Sequence, residues 1–155
     1  MSDTKTDIIT VPRLVIDTNV CLDLFVFQDP RWAALLAEIE AGTVEAITRA
    51  DCRSEYLYVL NYPHLPLDES SRLTAAARFD RALRVVDASA RPIRLPVCTD
   101  KDDQKFLELA RDAQADVLIT KDKALLKLAR KTAAAGLFRI LLPEVWLAAR
   151  AGTVG

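Results

Sequence analysis

The chain has 155 residues and a formal net charge of −1, from 21 Lys+Arg against 22 Asp+Glu, which excludes a global basic field for holding nucleic acid and leaves only a local patch or metal ions. Hydrophobic residues make up 51% and charged residues 28%, with 4 Gly and 7 Pro, a balance that excludes extensive disorder and, at this length, lets folding bury roughly two-thirds of the unfolded surface. Cys21, Cys52 and Cys98 lie far apart without a C-x-x-C pair, no apolar run approaches the ~20 residues of a membrane span, and the polar start predicts no signal peptide, so the expected location is cytoplasmic, with reduced thiols.

Residues 1–12 read as a polar leader ending at Pro12, and residues 13–150 as one domain. Leu14-Val15-Ile16 is a short apolar run closed by Asp17-Thr18-Asn19, the pattern of a buried strand followed by a turn. From Pro30 the period changes: Trp32, Leu35, Leu36 and Ile39 fall on one face of a helix that stops at Gly42. Residues 44–48 are a second strand. Tyr56, Leu57, Val59 and Leu60 mark a helix ended by Asn61-Tyr62-Pro63. After a turn over 63–68, Asp68-Glu69-Ser70-Ser71 opens a long helix to about Leu83. Val85-Val86 is the third predicted strand, and residues 88–98 are a loop holding Pro92 and Pro96.

The last third reads as a helix over 102–113, a strand over 116–120, a helix from Lys123 to Ala134 broken at Gly136, a strand over 138–142, and a short helix after Pro143 that contains Trp146. Strands alternating with helices predict an α/β chain, a three-layer α/β/α sandwich around a central, mainly parallel sheet.

Asp17 ends the first strand and Asp122 follows the fourth. In such sheets, sites form beyond the carboxyl ends of strands, so these two carboxylates are expected to face each other. Glu55 starts the helix after the second strand, and Asp100, Asp102 and Asp103 crowd another helix start. Four segments thus deliver acids to one rim. Carboxylates gathered without matching cations call for a hard divalent ion such as Mg²⁺ or Mn²⁺. Taken singly, Asp103 and Asp122 fit helix caps better than ligands, and Glu55 fits a solvated helix residue; the case rests on their combination. Asp17 is different, because a carboxylate closing an all-apolar strand must find compensation.

These four segments resemble the motifs of the PIN-domain family: Leu14-Val15-Ile16-Asp17-Thr18-Asn19-Val20, Ser54-Glu55 with Val59-Leu60, Asp103 ahead of Phe106-Leu107-Glu108-Leu109-Ala110, and Leu118-Ile119-Thr120-Lys121-Asp122 with Leu125-Leu126. The run Cys98-Thr99-Asp100-Lys101-Asp102-Asp103 further resembles the branch containing VapC-like toxins of toxin–antitoxin pairs. Lys121 departs from the usual Gly of the fourth motif and Gln104 from the usual Asp of that branch; neither removes an acid. The resemblance implies a ribonuclease with Asp17, Glu55, Asp103 and Asp122 as catalytic and metal-holding residues for Mg²⁺ or Mn²⁺. It also implies an RNA substrate, a small antitoxin partner and a homodimer, with no membrane.

Thr18, Asn19, Thr120, Asp100 and Asp102 are the expected supports of those acids. Asn19 is equally explained by turn chemistry, and Thr120 by a plain strand role. Among Asp100, Asp102 and Asp103, helix phase favours Asp103, since Phe106 and Ala110 then define the buried face. Lys121, Lys123, Lys127, Arg130 and Lys131 form a basic strip suited to RNA phosphates, with a solvated helix face as the alternative. His64, the single histidine, lies in a turn, which excludes a multi-histidine zinc site. A haloacid-dehalogenase-like phosphatase would need an acid where Asn19 stands, and a receiver domain lacks a convincing phospho-accepting Asp on a middle strand. A third alternative is a PIN-like fold that binds RNA or protein without cutting.

Overall fold

The computed structural model describes residues 11–154. Five strands, β1 (Arg13–Ile16), β2 (Glu45–Thr48), β3 (Leu83–Val85), β4 (Val117–Ile119) and β5 (Arg139–Leu141), form one sheet in the order β3-β2-β1-β4-β5. Every pairing is parallel; Leu14 sits between Ala46 on β2 and Val117 on β4. The helices are α1 (Thr18–Phe25), α2 (Ala33–Ala41), α3 (Ala50–Val59), α4 (Glu69–Ala82), α5 (Gln104–Asp112), α6 (Lys123–Leu126), α7 (Ala129–Ala134) and α8 (Pro143–Val154).

The strands bury both faces, as parallel strands covered by crossover helices must. Leu14, Ile16, Ala46, Val117 and Ile119 pack on one side with α1 to α4 and α8, where Tyr56 stacks on Phe79 at 4.3 Å between ring centres and Phe25 meets both edge-on. Val15, Ile47, Leu118 and Ile140 pack on the other side with Phe106, Leu107, Leu109 and Ala110 of α5, Leu125 of α6 and Leu128. This is the expected three-layer α/β/α arrangement. Because β1 is flanked by β2 on one side and β4 on the other, the chain reverses its direction of winding there. The crevice at the carboxyl ends of β1 and β4 is therefore the natural place for a site.

Several elements differ locally from the sequence reading. Asp17-Thr18-Asn19 is not a turn: α1 begins at Thr18 directly after β1, and seven of its eight residues are buried. That all-round burial removes the amphipathic period by which a helix is recognised. The third strand is Leu83–Val85 rather than Val85-Val86; it follows α4 without a loop, because Leu83 pairs with Ala46 and is itself buried. The helix expected over 123–134 is two short helices with Lys127 and Leu128 between them, and the one expected from 102 opens with a 3-10 turn, Lys101–Asp103. Gly42 ends α2 at φ 78°, a left-handed cap that suits a residue without Cβ.

Trp32, Leu35 and Trp146 all lie in the core. Residues 1–10 of the expected leader lie outside the described residues, and the carbonyl of Pro12 already accepts the Glu45 N–H at 2.8 Å. Among the described residues, no helix is long and apolar enough to cross a membrane.

Candidate active site

β1 and β4 end side by side, so Asp17 and Thr120 meet although far apart in the chain. The Asp17 amide donates to the Ile119 carbonyl at 3.0 Å, extending the ladder by one residue. Asp17 is only 3% exposed, and its carboxylate accepts from Thr120 Oγ1 at 2.6 Å. Burial pushes its pKa up to about 6; the Thr120 hydrogen bond opposes the rise, and the charges of Asp122 and Glu55 add to it. Thr120, fully buried, is therefore more than a strand residue: its oxygen also accepts the Asp122 N–H at 2.9 Å. One hydroxyl orders two acids.

Asp122 caps α6, accepting the Ala124 N–H at 2.7 Å. The cap reading of this residue holds, and it coexists with a place in the cluster: Asp100, Asp103 and Asp122 each offer an oxygen within 4.8 Å of the others. Asp100 caps the 3-10 turn by accepting the Asp102 N–H at 3.0 Å. Asp103 is 8% exposed, and its Oδ2 is buried without a hydrogen-bond partner. Burial raises its pKa to about 8, helped by the neighbouring Asp122 and by the charges of Asp17 and Asp100. Among the described residues no salt bridge reaches Asp17, Asp100, Asp103 or Asp122. A buried carboxylate oxygen without a donor, among acids without a cation, is the environment that a hard divalent ion relieves. The donor set fits such an ion.

Glu55 stands apart from that trio. One of its oxygens accepts from Thr18 Oγ1, and the other from Lys105 Nζ at 2.6 Å. Of the expected supports, Thr18 therefore holds Glu55, Thr120 holds Asp17, and Asp100 belongs to the cluster itself. Asp102 is exposed and contributes its backbone, its carbonyl accepting from Lys105 Nζ. Asn19 is exposed.

Lys121 is engaged within the protein, its Nζ donating to Asp23 at 2.6 Å, while its side chain stays 35% exposed. Asp23, buried in α1, also accepts from the Trp32 indole N–H at 3.1 Å. The rest of the basic strip, Lys123, Lys127, Arg130 and Lys131, is exposed. Among the described residues, no ion pair engages these four. His64 is exposed beside Tyr62.

Sequence reasoning missed Lys105 and Asp23. For Asp23 a signal existed, since a carboxylate inside the apolar run Val20–Phe27 must find donors. Lys105 carried none: nothing local ties it to a residue 50 positions away. A cavity of about 330 Å³ lies elsewhere, between α1, α2 and α4, and none of the rim acids lines it.

Over residues 13–124 the chain matches the PIN-domain family. Its fold is similar to that of a chain of VapBC2 from Rickettsia felis, in the crystal structure of VapBC2 bound to a DNA fragment from their promoter. That likeness has a TM-score of 0.56 at 13% identity and covers 84% of this chain and 98% of that one. No curated protein matches the sequence significantly.

Proposed function

We infer, for a chain that belongs to the PIN-domain family, a divalent-metal-dependent endoribonuclease that hydrolyses RNA phosphodiesters as the toxin of a toxin–antitoxin pair. The observation that carries this reading is the buried, unpartnered Oδ2 of Asp103 in a cluster with Asp100 and Asp122, next to Asp17 and, among the described residues, without a salt-bridged cation. An Mg²⁺ or Mn²⁺ ion held by Asp103 and Asp122 with Asp17 or Asp100 would supply a low-pKa water and neutralise charge developing on the phosphate.

The chain's own groups do the rest. Thr120 keeps the Asp17 carboxylate aimed into the crevice and holds the backbone of Asp122 beside it. Thr18 and Lys105 hold Glu55, whose charge also acts on Asp17, and from there it would orient the attacking water. Lys123, Lys127 and Arg130, exposed on the helices that follow Asp122, would contact RNA phosphates.

A small antitoxin protein and a second copy of this chain are the partners that the likeness to the VapBC2 chain supports. Light scattering of the purified chain tests self-association. Cleavage of a panel of structured and single-stranded RNAs with Mg²⁺ or Mn²⁺, by the wild type and Asp17→Asn, tests the activity. Metal-dependent cutting lost in the variant is the expected result. No cutting by folded, partner-free wild type, or equal cutting by both, would instead leave a module that binds without cleaving.

A further inference from the structure

The rim is divided in a way the four-acid pattern does not anticipate. On one side stand Asp100, Asp103 and Asp122, with oxygens within 4.8 Å of one another. Outside that trio stands Glu55, both of whose oxygens are engaged, one by the Thr18 hydroxyl and one by Lys105 Nζ at 2.6 Å. Lys105 is itself anchored, since its ammonium also donates to the Asp102 carbonyl in the turn that carries Asp103. Its side chain is 18% exposed and that of Glu55 25%, so the pair is shielded from solvent rather than waving in it.

Asp103 closes the 3-10 turn and Lys105 lies in the first turn of α5, so the one segment brings a carboxylate to the cluster and an ammonium to Glu55. A divalent ion brought to Glu55 would have to displace that ammonium or endure its repulsion at short range.

We propose that Lys105 is a positioning residue acting as a built-in cation, occupying the place of a second metal ion at Glu55, so that the rim takes one divalent ion per chain. This rests on the metal-dependent reading above and goes beyond it by assigning the number of ions and the residue that sets it. Glu55 then acts through its fixed orientation, and the single ion belongs to the Asp103 side.

The test is a Mn²⁺ titration of the intact chain, followed by calorimetry and by the electron paramagnetic resonance of free Mn²⁺, without RNA. One ion per chain is expected for the wild type and for Lys105→Arg, which keeps the cation. Two are expected for Lys105→Met, in which Glu55 is released; Lys105→Gln serves if the methionine variant does not fold by circular dichroism. Two ions in the wild type, or one ion in a folded Lys105→Met or Lys105→Gln, would overturn the inference and leave the metal site standing. No saturable Mn²⁺ binding by the wild type would overturn both.

Discussion

Replacing Thr120 with valine removes a single hydroxyl while keeping the branched shape that fits the end of β4. That hydroxyl donates to Asp17 at 2.6 Å and accepts from the Asp122 amide at 2.9 Å, at a fully buried position. At pH 8 Asp17 is ionised, its pKa being about 6. Loss of a hydrogen bond to a charged group costs about 1.5–3 kcal/mol, and the unpaired amide adds roughly 1 kcal/mol. A total near 3 kcal/mol corresponds to a fall in Tm of about 9 °C for a chain of this size. At pH 5 Asp17 is protonated and the charge-assisted part disappears, so the cost should drop to roughly 1–2 kcal/mol.

Urea denaturation in EDTA at both pH values measures this directly. Thr120→Ser is the control: it keeps both hydrogen bonds, loses one methyl worth about 1 kcal/mol, and should cost the same at either pH. A Thr120→Val cost below about 1 kcal/mol at pH 8, or one that does not change with pH, would refute the account of this hydroxyl.

The pKa shifts of the metal-free rim predict an unusual pH profile. The carboxyls of Asp17 and Asp103 are raised from 3.8 to about 6 and about 8, so the folded chain binds more protons than the unfolded chain between those values. Their contribution to stability is therefore complete below about pH 4 and is lost as the pH rises through about 6 and then 8. In EDTA, Tm should fall from pH 5 to pH 8, less steeply in Asp103→Asn, which should exceed the wild type at pH 8 by roughly 1–2 kcal/mol; a wild-type Tm that rises over this range would refute the shifts. For the basic strip, changing Lys123, Lys127 and Arg130 together to Gln should lower the salt slope of single-stranded RNA binding by about 2, at ~0.7 per phosphate contact, with Tm unchanged. An unchanged slope would return these residues to the role of a solvated helix face.

The acids and the fold class were readable in advance for local reasons. Asp17 closes an apolar strand, Asp122 follows another, and Asp100 and Asp103 stand at a helix start, which are positions set by a few neighbours each. Where a helix is buried on nearly all sides, as α1 is, or runs straight into a strand, as α4 into β3, that local signal fades. The basic strip shows the same limit: Lys121 looked like its neighbours along the chain, yet its ammonium pairs with Asp23 while Lys123 and Lys127 are exposed.

By itself, then, the amino-acid sequence determined which carboxylates exist and that a parallel sheet would carry them to one edge, because apolar runs, caps and turns act over short spans of chain. Which groups pair at that edge was decided only by the tertiary structure. Thr120 with Asp17, Lys105 with Glu55 and Lys121 with Asp23 are separated by 103, 50 and 98 positions. Each bond depends on strand register, on the start of a helix and on the side to which a side chain points. Those are properties of the packed sheet, and periodicity along the chain holds no record of them.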